Sequence, residues 1–95
     1  MLSFKNHNDV AQQLARQARA RRVGYNFSRE TLAAKSGVSA ASIRRFETTG
    51  AIALDSLLKL ANVLDCMDAF EGLFPAKEIM TLADITARPR RRGRL

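Results

Sequence analysis

The chain has 95 residues, with five Phe, one Tyr, no Trp and a formal net charge of +7. That size supports one small domain whose core rests on Leu, Ile, Val, Ala and Phe, and a core so small is often completed by dimerisation. The single cysteine, Cys66, excludes an internal disulfide, no apolar run reaches the roughly 18 residues of a membrane span, and MLSFKNHNDV lacks the apolar stretch of a signal peptide, so a soluble cytoplasmic protein is expected.

From about Asn8 to Arg22, Val10, Leu14 and Ala18 recur four apart, which predicts a helix with one apolar stripe, broken by Gly24-Tyr25-Asn26. Ser28 is a suitable N-cap for a second helix to about Ser36, with Glu30 favoured in its first turn and Leu32 and Ala33 inward. Gly37 ends that helix where the backbone needs positive φ. Ser39 caps a third helix with Ile43 and Phe46 toward the core, closed by Thr48-Thr49-Gly50. A loop with Ile52 leads to a fourth helix, about Leu54 to Leu64, carrying Leu54, Leu57, Leu58, Ala61 and Leu64. Asp65 to Leu73 reads as a short fifth helix with Met67, Phe70 and Leu73 inward, stopped by Pro75. KEIMTLADI fits either a strand or a short helix capped at Thr81, and the tail RPRRRGRL has nothing to bury and is expected to be disordered.

The expected fold is therefore all-α, with five helices in residues 1–74, an extension at 75–87 for dimerisation or partner binding, and a basic tail at 88–95. The charge follows these divisions. Residues 1–50 hold nine Lys and Arg against three acids, residues 51–87 two against six, and the last eight residues add five arginines. A basic half, an acidic half and a basic tail suggest two surfaces with different partners.

Two helices joined by a short turn containing glycine form the supersecondary unit of DNA-binding proteins. It needs a small residue where the helices cross, glycine four positions later, and apolar residues pinning the second helix on the first. Ala33, Gly37, and the set Leu32, Val38, Ile43 and Phe46 meet these needs in register. Arg29, in the first turn of the crossing helix, opposes the helix dipole, and a phosphate would explain a cation there. Ser28, Ser39 and Ser42 are placed to cap helices or donate to phosphates, with capping the sole role read for Ser28. With Ile43 and Phe46 inward, the third helix exposes Ala40, Ala41, Arg44, Arg45 and Thr48. The alanines offer only methyl groups, suited to a thymine methyl or to close approach of the helix. Sequence reading then falls on the arginines, Arg45 on a base and Arg44 on a base or a phosphate, since arginine on guanine O6 and N7 is the commonest specific contact, the alternative being that both hold phosphate. Glu47 is expected to pair with an arginine of the first helix. The acids Asp65, Asp68, Glu71, Glu78 and Asp84 are placed on solvent or toward a basic partner, and the arginine tail reads as a non-specific nucleic-acid clamp or a degradation-prone end.

Residues 8 to 74 resemble the xenobiotic-response-element (XRE) family, which shares its five-helix domain with lambda-type phage repressors. The resemblance is carried by SRETLAAKSGVSAASIRRFE and LDSLLKLANVLD, while RRFETTGAIALDSLLKLANVL, FEGLFP and the arginine-rich tail look like HipB-type antitoxins. It implies that the third helix enters the major groove and that base contacts fall on Ala40, Ala41 and Arg45. The two alanines depart from the long polar residues often found there. The resemblance further implies a homodimeric repressor of double-stranded operator DNA, bacterial and nucleoid-associated, serving as the autoregulating antitoxin beside a HipA-like kinase toxin. A phage-type or stand-alone regulator is the alternative within the family, and a partner-sequestering module is the rival from another class. His7, the only histidine, falls in a terminus expected to be mobile, and no nucleophile–base pair, phosphate loop or Cys/His cluster stands out. Neither catalysis, a cofactor nor a metal site is expected.

Overall fold

A computed structural model describes residues 5–76 as five helices, with no strand among them. They are α1 (His7–Gly24), α2 (Arg29–Ser36), α3 (Ala40–Thr49), α4 (Leu54–Val63) and α5 (Asp68–Glu71). The all-α expectation is met. The expected extension at 75–87 lies outside the described residues from 77 onward, as do the strand-or-helix alternative at KEIMTLADI and the basic tail.

The starts of α1, α2 and α3 have a chemical cause. Asn6 and Asp9 form a capping box on α1, the Asn6 side chain accepting from the Asp9 N–H at 2.8 Å and the Asp9 carboxylate from the Asn6 N–H at 3.3 Å. His7 is consequently the first residue of α1 and not part of a loose terminus. Ser28 and Ser39 cap α2 and α3 as their sequence positions predict, accepting from the N–H groups of Thr31 and Ser42. Ala53 begins α4 with no side-chain cap.

The ends share one device. The four longer helices are each followed by a residue in the left-handed region: Asn26 (φ 61°), Gly37 (82°), Gly50 (82°) and Asp65 (56°). At two of them no glycine is used. After α1, the Phe27 N–H donates to the Arg22 carbonyl and that of Asn26 to Val23; after α4, Cys66 donates to Ala61 and Asp65 to Asn62. These are Schellman closures, for which Asn and Asp are the side chains that best tolerate positive φ. The break after α1 therefore falls at Asn26, and Gly24 is still helical.

The core comprises Ala15, Leu32, Val38, Ile43, Phe46, Leu60, Ala61 and Leu64. α3 packs on α1 and on α2, and α2 also packs on α4, so the exposed face of α3 is held from behind by two helices. Three expectations are corrected. On α1 the apolar stripe is rotated by one residue: Val10 is exposed and Ala15 is buried, with Ala11, Leu14 and Ala18 half-buried. The cause is Gly50, whose position leaves a Cβ only 3.1 Å from the Ala11 backbone, so α3 ends directly against Ala11. On α4, Leu54 is exposed at the first position while Leu60 is buried. The fifth helix is a single turn, because Asp65 redirects the chain and α5 begins only at Asp68; Phe70 is half-buried, while Met67 and Leu73 are exposed and Phe74 is 96% exposed.

Candidate nucleic-acid interface

The exposed face of α3 is fixed in place by one buried carboxylate. Glu47 points away from the exposed face, its side chain 3% accessible, and receives a two-pronged grip from Arg22 of α1: Nε at 2.7 Å and Nη2 at 3.1 Å. The remaining Nη1 of Arg22 donates to the Phe27 carbonyl at 2.8 Å, tying the α1–α2 connection to the same group. From α2, the Arg29 Nε donates to Glu47 at 2.9 Å. Burial pushes the Glu47 carboxyl up, but the hydrogen bonds and charges of Arg22 and Arg29 outweigh it and hold the group below its ordinary value of 4.5. The expected bond to an α1 arginine is present, and Arg29 is a second partner not foreseen. Its place at the positive end of α2 thus has an explanation inside the protein, in addition to any phosphate beyond it.

Arg21, the neighbour of Arg22, faces the other way and donates from Nε to the Leu64 carbonyl at 2.5 Å and from Nη2 to that of Asp65 at 2.9 Å. A guanidinium there satisfies the carbonyls left free at the end of α4. Consecutive arginines of α1 therefore hold α3 and α4 separately.

In front of this frame lies an open groove of about 490 Å³, lined by Arg29, Glu30, Ala40, Ala41, Arg44, Arg45, Thr48 and Thr49. It gathers six of the eight residues singled out from sequence: Arg29, Ala40, Ala41, Arg44, Arg45 and Thr48. Ser39 and Ser42 stand at the start of α3 outside that lining. The Ser39 hydroxyl accepts from the Ser42 N–H at 3.1 Å and donates to the Ser42 hydroxyl at 2.9 Å, leaving the Ser42 proton as the one available to a phosphate. Arg44 and Arg45 have no ion-pair partner among the described residues. Two neighbouring cations exposed to water and unpaired attract a polyanion. Thr49 and Glu30 were missed. Thr49 was visible as the third member of the series Ala41, Arg45, Thr49, spaced four apart.

No group of His, Cys, Asp and Glu side chains among the described residues is arranged to hold a metal, and no described helix is long and apolar enough to cross a membrane.

Two capped helices, a left-handed glycine between them and an arginine-bearing face on the second define a DNA-binding helix-turn-helix domain. The chain belongs to the helix-turn-helix family of XRE type: the family profile matches residues 19–66, from the middle of α1 through α4 to Cys66. Membership makes it a DNA-binding transcription regulator. Neither the curated proteins nor the solved structures gave a match.

Proposed function

We propose that this protein is a homodimeric, sequence-specific repressor acting on the bacterial nucleoid, and that it is the autoregulating antitoxin of an operon shared with a HipA-like kinase toxin. The observation that supports repression is the groove that brings Arg29, Ala40, Ala41, Arg44, Arg45 and Thr48 onto one face. In this reading α3 enters the major groove of double-stranded operator DNA. Arg45 pairs with guanine, Arg44 holds a second base or a phosphate, and Ser42 and Arg29 grip the backbone, with Ser39 holding the Ser42 hydroxyl in place. Two copies on a palindrome hold their reading helices about 34 Å apart and occlude the promoter. Residues 1–74 bind DNA, residues 75–87 bring in the second copy or the toxin, and residues 88–95 clamp DNA without regard to sequence. The antitoxin role is supported by the HipB-like run RRFETTGAIALDSLLKLANVL and by the exposed apolar and acidic residues after α4, Leu73, Phe74, Asp68 and Glu71, which suit a protein partner.

The test is binding of the full chain to its own promoter across salt concentrations, beside Arg45→Ala and a chain ending at Ala87. Promoter preference that disappears in Arg45→Ala supports the reading. Weakening by the truncation alone, equal on all sequences, makes the tail the clamp and moves specificity elsewhere. An intact chain with no promoter preference ends the repressor reading in favour of a partner-binding module. Co-expression with a kinase-like neighbouring gene tests the second half: failure to relieve its growth arrest leaves a stand-alone regulator.

A further inference from the structure

We infer that the α3 groove reads the C5-methyl group of a pyrimidine, with Ala41 and Thr48 as specificity-determining residues; the inference rests on the DNA-reading role proposed above. The lining of the groove allows few other contacts. Thr48 Oγ1 donates to the Arg44 carbonyl at 2.8 Å and Thr49 Oγ1 to the Arg45 carbonyl at 2.7 Å. Both hydroxyl protons are therefore turned onto the helix backbone, and Thr49 Oγ1 also accepts from the Ala51 N–H at 3.1 Å, so the threonines bring methyl groups and, at Thr48, a weak acceptor to the groove. The side chains of Ala40 and Ala41 bring methyl groups alone. The side-chain donors left in the lining are the guanidinium groups of Arg29, Arg44 and Arg45, and the one side-chain carboxylate is that of Glu30, on α2.

Each base edge in the major groove makes a different demand. Guanine presents two acceptors and suits arginine, while adenine needs a donor and an acceptor together, as Asn or Gln supplies. No Asn or Gln lines this groove. Cytosine needs an acceptor for its amino group, and α3 offers only the weak Thr48 hydroxyl oxygen, the Glu30 carboxylate lying on α2. Thymine is distinguished by its methyl, which needs only an apolar neighbour. The order along α3 fits that division. The alanine pair stands at the N-terminal end, the arginine pair about 6 Å further on, and the threonine pair about 12 Å on. Methyl-bearing positions thus flank long cationic ones, and a methylated pyrimidine beside a guanine satisfies both. Thymine and 5-methylcytosine offer the same methyl at the same place, so the groove serves either source.

The experiment takes a duplex selected by the full chain from a random-sequence library and measures its affinity by fluorescence anisotropy. One arm replaces thymines by uracil; the other replaces cytosines by 5-methylcytosine. Both arms are repeated with Ala41→Gly and with Thr48→Ser, which removes a methyl but keeps the hydroxyl, and thermal melting confirms that the variants fold. Each contacted methyl contributes about fourfold in affinity. Weakening on uracil that shrinks in either variant supports the inference with thymine as the source. Strengthening on cytosine methylation that shrinks likewise supports it with 5-methylcytosine as the source. Indifference to both replacements overturns it. So does a methyl effect undiminished in both variants, which would come from duplex shape and not from these side chains. Enrichment of a site with no methyl effect sinks this inference alone, whereas no enrichment of any site sinks the repressor reading and this with it.

Discussion

Glu47 holds three helices through three short hydrogen bonds, and almost none of its surface reaches water. Glu47→Ala leaves the Arg22 guanidinium, 9% accessible, without its counter-charge. Breaking a buried pair in this way costs about 3–5 kcal/mol, a large share of the stability of a small domain. Urea unfolding of Glu47→Ala should show that loss, with Arg29→Ala losing only about 1 kcal/mol because Arg29 is partly solvated and Arg22 keeps its partner. The pH dependence has a defined sign. A carboxyl whose folded pKa lies below its unfolded value binds fewer protons when folded, so its contribution is complete above the ordinary value of 4.5 and is lost as pH falls through the folded pKa. Acid unfolding of Glu47→Gln should accordingly be shallower than that of the unaltered chain below that value. The two helix-ending glycines separate a backbone effect from a packing effect. Gly37 and Gly50 have the same φ of 82°, but a Cβ at Gly37 meets open space while one at Gly50 lies within 3.1–3.2 Å of Ala11. Gly37→Ala should cost about 1–2 kcal/mol, the left-handed penalty alone. Gly50→Ala should cost measurably more, since α1 must also move.

At the scale of elements, the helices were legible where side-chain chemistry marks their ends. Ser28, Gly37, Ser39 and Gly50 bound α2 and α3 in sequence and in structure alike, because caps and left-handed closures depend on a residue's own atoms. What periodicity left ambiguous was rotation about the helix axis. On α1 the choice between Val10 and Ala11 is settled by the approach of Gly50, a contact across 39 positions that no local pattern contains. The exposed side of α3 was legible for the same reason as α3 itself, since Ile43 and Phe46 are buried and fix the opposite side. The second partner of Glu47 was not, because Arg29 also made sense as a phosphate ligand. α4 shows where local chemistry is missing: Ala53 has the extended backbone of an N-cap (φ −70°, ψ 144°) but no side chain to use it. Ala53→Ser should raise stability by about 1 kcal/mol, read as a higher urea midpoint with unchanged slope. A lower midpoint would mean that the N–H groups of α4 are already satisfied in another way.

Across the whole molecule the charges divide by task. Arg21 and Arg22 are bonded to oxygens of the protein through two and three nitrogens and Arg29 through Nε alone, so the excess of cations in residues 1–50 overstates what is free to meet DNA. Arg44 and Arg45 are the unpaired cations of the groove, and two such side chains on one copy make a small contact for specific binding. A second copy doubles it and adds the spacing constraint of a palindrome. The apolar surface suited to that second copy follows α4: Leu73 is 56% and Phe74 96% exposed, so a lone protomer places two large side chains in water directly before residues 75–87. If that surface joins two copies, Leu73→Ser with Phe74→Ser removes buried apolar contacts from the dimer and none from the core of α1 to α4. Sedimentation should then show a monomer, helical content by circular dichroism should be unchanged, and binding to a palindromic site should fall to that of a single half-site. A double variant that remains dimeric would assign self-association to another face and leave Leu73 and Phe74 for a different partner.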